Sequence, residues 1–419
     1  MVDPHSDAVH DLNVLIDVAR QLGATFELLP LLRTIEQAGR EALDCDRATV
    51  FLYDAGRDEL YSKVATGTGE IRFSARLGIA GEAARTHSVI LVPDAYQDPR
   101  FNPEIDRKTG YRTRNMLTVP LVAPDGEVMG VLQVLNKKSG EFHRNDEMVA
   151  AALGSLTGIA IKRQMLLDAA AEKMRLEKEL DIARQIQQEL LPKTAPSVPG
   201  FDIAGWNRPA DSTGGDFYDY FPLGDGRWAL TIADATGHGI GPAIIMAQCR
   251  ALLRAVSESC DDLSRIAARV NNLLQQDLPA DRFVTVFHGI LDPGPCRLVY
   301  VSAGHGPLLH YRRTTGTVAK FNATTLPMGI LPDADMPCAE PVVFEPGDIF
   351  VLLTDGLLEW ARSDGEQYGE DRIAEIIARH HAEPAARLIE IVYQEVLRFG
   401  GGGPQMDDLT MVVVKRVQE

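Results

Sequence analysis

Residues 214–239 read GGDFYDYFPLGDGRWALTIADATGHG, and two acids in this stretch, Asp216 and Asp234, set the reading of the C-terminal half. The apolar run at 228–233 is strand-like and ends on Asp234. The pattern returns twice downstream: the run at 349–354 leads into Asp355 of TDGLLEW, and the run at 409–415 leaves Asp407 and Asp408 of MDDLT. Asp-Gly after a strand is, taken singly, an ordinary hairpin turn. Strands that end together bring their end residues together, however, and four carboxylates gathered this way form a candidate metal site. Oxygen ligands with no accompanying His or Cys set favour Mg²⁺ or Mn²⁺ over zinc.

Working outward, short strands are predicted in RWALTIAD, FVTVFHGILD, RLVYVSAG, GPLLHYRR, GDIFVLLTD and LTMVVVKRV. Helices are predicted at 242–257, 262–276 and 371–399. Hairpin-length links favour antiparallel pairing, with the helices covering outer faces, so the expected fold class is α+β.

GGDFYD, DATGHG, SAGHGPLLHY, LPMGI, TDGLLEW and MDDLTMVVV, with QIQQELLP just upstream, occur in an order that resembles the bacterial branch of the metal-dependent type 2C protein phosphatases, the sporulation protein E or RsbU-like group. The resemblance covers 180–417 and implies an α-β-β-α sandwich. It also implies two Mn²⁺ or Mg²⁺ ions held by Asp216, Asp234, Asp355 and Asp407, with Ala235 offering its carbonyl, and a water that attacks phosphoserine or phosphothreonine. The chemistry has a physical reason. Two metals about 4 Å apart acidify a water and clamp the attacking and leaving oxygens, so no protein nucleophile is required. Cys45, Cys249, Cys260, Cys296 and Cys338 each lack an Arg six residues on, which excludes the loop of a cysteine-dependent phosphatase.

Several neighbours are secondary candidates. Asp219 reads either as a holder of a metal-bound water or as a solvated strand residue. His238, four residues after Asp234, reads as a general acid or as a residue capping or packing the next helix. His305 reads as a loop-shaping residue, and Asp408 as a partner for Asp407. The glycines at 400–403 form a permissive loop without the strand-then-helix frame of a phosphate-binding fingerprint. The helix beginning near Pro242 follows Asp234 directly and is the expected switch element.

In the N-terminal half, helical periodicity over 9–42 precedes the strand RATVFLYD. Asp125-Gly126 then marks a hairpin in VPLVAPDGEVMGVLQVLNK, and helix resumes at Asp146. Residues 12–162 resemble a GAF sensor domain, with an antiparallel sheet and helices. Asn136, Lys137, Phe142, Asp146 and Glu147 reproduce the NK, F, DE spacing of GAF domains that bind cyclic nucleotides. The resemblance implies that Lys137 and Asp146 pair structurally, leaving a cyclic nucleotide, another small ligand or none as alternatives.

The segment from Ile161 to Leu191 has no Gly or Pro and reads as one helix continuing out of the sensor. Leu166, Ala169, Leu176, Leu180, Ala183 and Leu190 fall on alternating spacings of three and four, with Lys173 and Gln187 as polar interruptions. That is a short coiled-coil seam of a homodimer, or the packed face of a helix on its own domain. The expected organisation is a sensor at 1–162, a helical linker at 163–192 and a phosphatase at 193–419.

With 419 residues and 45% hydrophobic content the chain can build two or three cores. A net charge of −17 argues against nucleic acid and anionic membrane surfaces as partners. The N-terminus carries acids where a signal peptide needs bases, and the unpaired cysteine spacing suits a reducing compartment, so a cytoplasmic protein is expected. By resemblance the substrate is a phosphorylated signalling protein, an anti-sigma-factor antagonist. Two rivals belong to other classes. A diguanylate cyclase needs a carboxylate where Phe217 stands, and a silent scaffold would be expected to have lost at least one of the four acids.

Overall fold

In the computed structural model, residues 4–63 and 71–417 are described. They divide into two compact units, 1–175 and 176–419, and the division falls inside one long helix.

The N-terminal unit begins with helices α1 (Pro4–Ala24) and α2 (Leu28–Ala42). The periodicity over 9–42 therefore belongs to two helices: Gly23 weakens the end of the first, and Pro30 in the opening turn of the second has no intrahelical bond to lose. Strands β1 (Cys45–Asp54), β2 (Glu59–Ser62) and β3 (Ile71–Ser74) lead to α3 (Gly78–Thr86), β4 (Ile90–Val92) and α4 (Glu104–Thr109). The hairpin β5 (Met116–Val122) and β6 (Val128–Lys137) turns at Gly126, which has positive φ. The sheet order is β3-β2-β1-β6-β5-β4, antiparallel throughout. Alternation in β1 sends Val50 and Leu52 to a core shared with α1, α2 and the start of helix α5 (Arg144–Leu190), while Phe51 faces the α3 side. The 47 residues of α5 run unbroken, as the absence of Gly and Pro over 161–191 predicts.

The C-terminal unit is a sandwich. Its elements are β7 (Phe201–Arg208), β8 (Asp216–Pro222), β9 (Trp228–Ala235), α6 (Ile240–Ser257), α7 (Leu263–Asp277), β10 (Val284–Asp292), β11 (Arg297–Ala303), β12 (Leu308–Arg312) and β13 (Thr317–Phe321). There follow β14 (Val342–Val343), β15 (Ile349–Leu353), α8 (Asp355–Leu358), α9 (Glu370–Arg379), α10 (Ala385–Gly400) and β16 (Leu409–Arg416). Two antiparallel sheets, β14-β11-β10-β9-β8 and β13-β12-β15-β16-β7, share an inner core of Tyr218, Ile232, Phe287, Phe350, Leu352 and Val412. α6 and α7 cover the outer face of the first through Met246, Cys249, Val270 and Leu274. α9 and α10 cover the second through Ile373, Ile377, Leu388 and Val392. The single helix predicted over 371–399 is broken before Pro384, which lacks an N–H and disfavours helical geometry at Glu383. α6 is apolar and long enough to cross a membrane by composition, yet Ile245, Met246, Cys249 and Leu253 are buried in this core.

Candidate metal centre

Asp216 opens β8 and Asp234 stands one residue before the end of β9; the antiparallel register pairs them directly. On the second sheet Leu353 pairs with Met411, and the Thr354 N–H donates to the Thr410 carbonyl, which sets Asp355 and Asp407 at one end of β15 and β16. The sheets are joined at that end through Asp216, whose Oδ2 accepts from Thr354 Oγ1 at 2.7 Å and from Thr410 Oγ1 at 2.6 Å. Strand pairing thus sets Asp216 opposite Asp234, and the charges of Asp355 and Asp407 reach Asp234 from the second sheet.

The electrostatics are those of crowded carboxylates. Burial, followed by the charges of Asp234 and Asp408, pushes the Asp216 carboxyl well above the usual range, against the pull of the two threonine hydroxyls. Asp234 is pushed up to about 7 by burial and then by Asp355, Asp407 and Asp408. Asp355 is raised by burial, then by Asp407 and Glu359. The charges that act most strongly on these three groups are other acids, with no Lys or Arg among them. A hard divalent cation fits such a donor set because it supplies the missing positive charge. Among the described residues, no group of three or more His, Cys, Asp or Glu side chains is placed to hold a metal ion.

The turn ahead of Asp216 is built to tight tolerance. Asp408 Oδ1 accepts from the Ala210 N–H at 2.7 Å, and its Oδ2 accepts from the N–H of Gly215 at 2.6 Å and of Asp216 at 3.3 Å. A Cβ on Gly214 would lie 2.4 Å from Asp408 Oδ2, and one on Gly215 would lie 2.6 Å from the Ala235 carbonyl oxygen. That is the physical reason for the paired glycines of GGDFYD, and it places the Ala235 carbonyl beside the start of β8. Asp407 Oδ1 in turn accepts the Asp408 N–H at 2.8 Å. Beside Asp407 and Gly356 opens a groove of about 610 Å³ lined by Trp360, Arg362, Phe399, the 400–403 glycines and Met406.

The secondary candidates are sorted by geometry. Asp219 lies three positions after Asp216 and so on the opposite face of β8, where Arg254 Nε (2.6 Å) and Arg250 Nε (3.0 Å) hold it against α6. Its contacts there are structural, and nothing turns it toward the carboxylate cluster. The His238 side chain is 91% exposed, with Nδ1 3.3 Å from Asp211, and the α6 cap is Gly239, so His238 neither caps that helix nor packs at its start. His305 is buried with Nδ1 3.2 Å from Thr285 Oγ1, and burial lowers it to about 4, a loop-shaping placement. Sequence reasoning passed over Thr354 and Thr410, although each adjoins an acid motif, and gave Gln187 only a seam position.

In the N-terminal unit, Lys137 Nζ is 2.6 Å from Asp146 Oδ1, and Asp146 Oδ2 accepts the His143 N–H at the start of α5. Asn136, at positive φ, accepts from the Arg114 N–H and donates to Tyr111 Oη and the Arg112 carbonyl. Phe142 is buried under Lys137, and the Glu147 N–H bonds the His143 carbonyl. These motif residues hold the fold together.

Residues 224–417 match the family described as Stage II sporulation protein E (SpoIIE), and residues 27–161 match the GAF domain. Protein IcfG of Synechocystis sp. is 29% identical over 265 residues, which are 57% of this chain and 41% of that protein. Phosphoserine phosphatase RsbU of Bacillus subtilis is 26% identical over 275 residues, covering 66% of this chain and 80% of the relative. Over the sensor, Dual 3',5'-cyclic-AMP and -GMP phosphodiesterase 11 of Drosophila melanogaster is 42% identical over 122 residues, 29% of this chain and 8% of that one. The chain thus spans well under two thirds of two of these three relatives. It carries a region that matches the GAF domain, followed by a two-sheet sandwich whose residues 224–417 match the SpoIIE family.

Proposed function

We propose that the chain is a metal-dependent protein serine/threonine phosphatase whose activity is set by its GAF domain. The observation that carries the reading is the Asp216–Asp234 pair at the sheet ends, tied to the second sheet by Thr354 and Thr410. Asp216, Asp234, Asp355 and Asp407, with the Ala235 carbonyl, would hold two Mn²⁺ or Mg²⁺ ions. Bound there, such ions supply charge neutralisation for phosphoryl oxygens and an acidified water as nucleophile. The chain's own residues set the rest. Thr354 and Thr410 fix Oδ2 of Asp216, whose carboxyl also hydrogen-bonds Asp234. Asp408 orders the turn that presents Asp216, and the groove beside Asp407 gives a phosphorylated segment room to approach.

The proposed substrate is a phosphoserine- or phosphothreonine-bearing signalling protein in the cytoplasm, an anti-sigma-factor antagonist; the similarity to a phosphoserine phosphatase supports phosphoserine. Phosphate release from phosphoserine peptides in Mn²⁺ tests the reading, and a preference for phosphotyrosine peptides would refute it. For the GAF domain we propose a cyclic nucleotide, supported by the similarity to a cyclic-nucleotide phosphodiesterase. Calorimetric titration with cAMP and cGMP tests this, and no heat at submillimolar nucleotide would sink it.

A further inference from the structure

Gln187 lies in the last turn of α5, within the 176–419 unit, at a position the heptad pattern assigns to a seam. It is only 8% exposed, whereas its neighbours Ile186, Gln188 and Glu189 are all exposed. Both ends of the amide are used on one residue: Nε2 donates to the Gly214 carbonyl at 2.5 Å, and Oε1 accepts the Gly214 N–H at 3.0 Å. This is the two-bond pairing of a β-ladder, made by a side chain.

The next residue, Gly215, is held from the other side by Asp408 Oδ2, as is the Asp216 N–H. No slack separates the two clamps, because neither Gly214 nor Gly215 has room for even a Cβ. A shift of Gln187 therefore carries Gly214, Gly215 and the backbone of Asp216 with it, and alters the approach of Gly215 to the Ala235 carbonyl. Removing the amide also strands a buried N–H and C=O, which drives the turn to rearrange toward water.

We propose that Gln187 is a positioning residue for the metal centre: its amide fixes the turn that presents Asp216, so that cation affinity depends on the last turn of α5 being docked. This inference rests on the metal-centre reading above. The bland alternative is that Gln187 merely anchors the helix end, in which case its loss would lower stability and leave cation binding alone.

The test is calorimetric Mn²⁺ titration of the full chain, with thermal unfolding in chelator as a parallel readout, on wild type, Gln187→Met, Gln187→Glu and the exposed-neighbour control Gln188→Ala. Gln187→Met keeps length and volume but makes neither bond. Gln187→Glu keeps the acceptor for the Gly214 N–H and faces the Gly214 carbonyl with an oxygen. The expected result is Mn²⁺ affinity lowered about tenfold or more in Gln187→Met, with a smaller loss in Gln187→Glu and none in Gln188→Ala. The metal concentration for half-maximal p-nitrophenyl phosphate turnover should rise in parallel, while kcat at saturating Mn²⁺ stays near wild type. Mn²⁺ affinity within twofold of wild type in both Gln187 variants would overturn the inference, whatever happens to the melting temperature. Should Gln187→Met fail to fold, Gln187→Glu decides the matter alone. A wild type that binds no Mn²⁺ would instead refute the metal-centre reading itself.

Discussion

Asp216 and Asp219 are three residues apart on β8 and serve different ends. The odd spacing turns Asp216 inward to the sheet ends and Asp219 outward to Arg250 and Arg254 on α6. Asp219 therefore anchors α6 rather than feeding the site, and Asp219→Ala is expected to cost about 3 kcal/mol by leaving two arginines against a buried face. Denaturant unfolding in chelator would measure this; unchanged stability would contradict it. His288 gives a pH prediction. It is fully enclosed between Thr231 and Ser257, and burial lowers it to about 4 from an ordinary 6.5. The unfolded chain takes up this proton near 6.5 and the folded one near 4, so the contribution is complete above 6.5 and is lost as pH falls toward 4. His288→Asn should accordingly show a flatter stability profile than wild type between pH 7 and 5, measured by denaturant unfolding. Parallel profiles would assign the acid sensitivity elsewhere.

At the scale of elements, the joint between α8 and the start of β16 is the tightest part of the site. A Cβ on Gly356 would lie 2.1 Å from the Asp408 carbonyl oxygen, a clash with backbone that no rotamer relieves. Gly356→Ala should push Asp355 and Asp407 apart and lower turnover about tenfold or more, with a modest loss of melting temperature. Wild-type kinetics in this variant would show the joint to be pliable. The same scale explains what the sequence disclosed. The six strands predicted in the C-terminal half, β9, β10, β11, β12, β15 and β16, are the inner strands of the two sheets, buried on both sides and therefore continuously apolar. The four passed over, β7, β8, β13 and β14, are the edges. In β8 the apolar run is interrupted by Asp216 and Asp219, both buried and engaged by hydrogen bonds or ion pairs, so the strand lacks a clean apolar signal. The four candidate acids stand out in the sequence because each borders an apolar run or a glycine pair. The roles of Thr354, Thr410 and Gln187 were not, because hydrogen bonds between residues far apart in sequence leave no periodic trace.

At the scale of the whole molecule, α5 carries Leu166, Ala169 and Leu176 of the predicted seam exposed. Apolar side chains on an extended helix are the raw material of a coiled-coil seam, and we propose a homodimer through α5. Gln187 is not one of the polar interruptions of that seam, since its amide is engaged at Gly214. Light scattering at micromolar concentration should give twice the mass of the chain, and Leu176→Glu should reduce it to one; a wild-type monomer would remove the dimer. We propose that the sheet-end aspartates form a metal-dependent phosphatase centre. Its most direct test is p-nitrophenyl phosphate hydrolysis in Mn²⁺ and in chelator by wild type, Asp216→Asn and Asp355→Asn. Turnover should require the metal and fall about a hundredfold in each variant. Turnover indifferent to chelator, or retained in both variants, would contradict it.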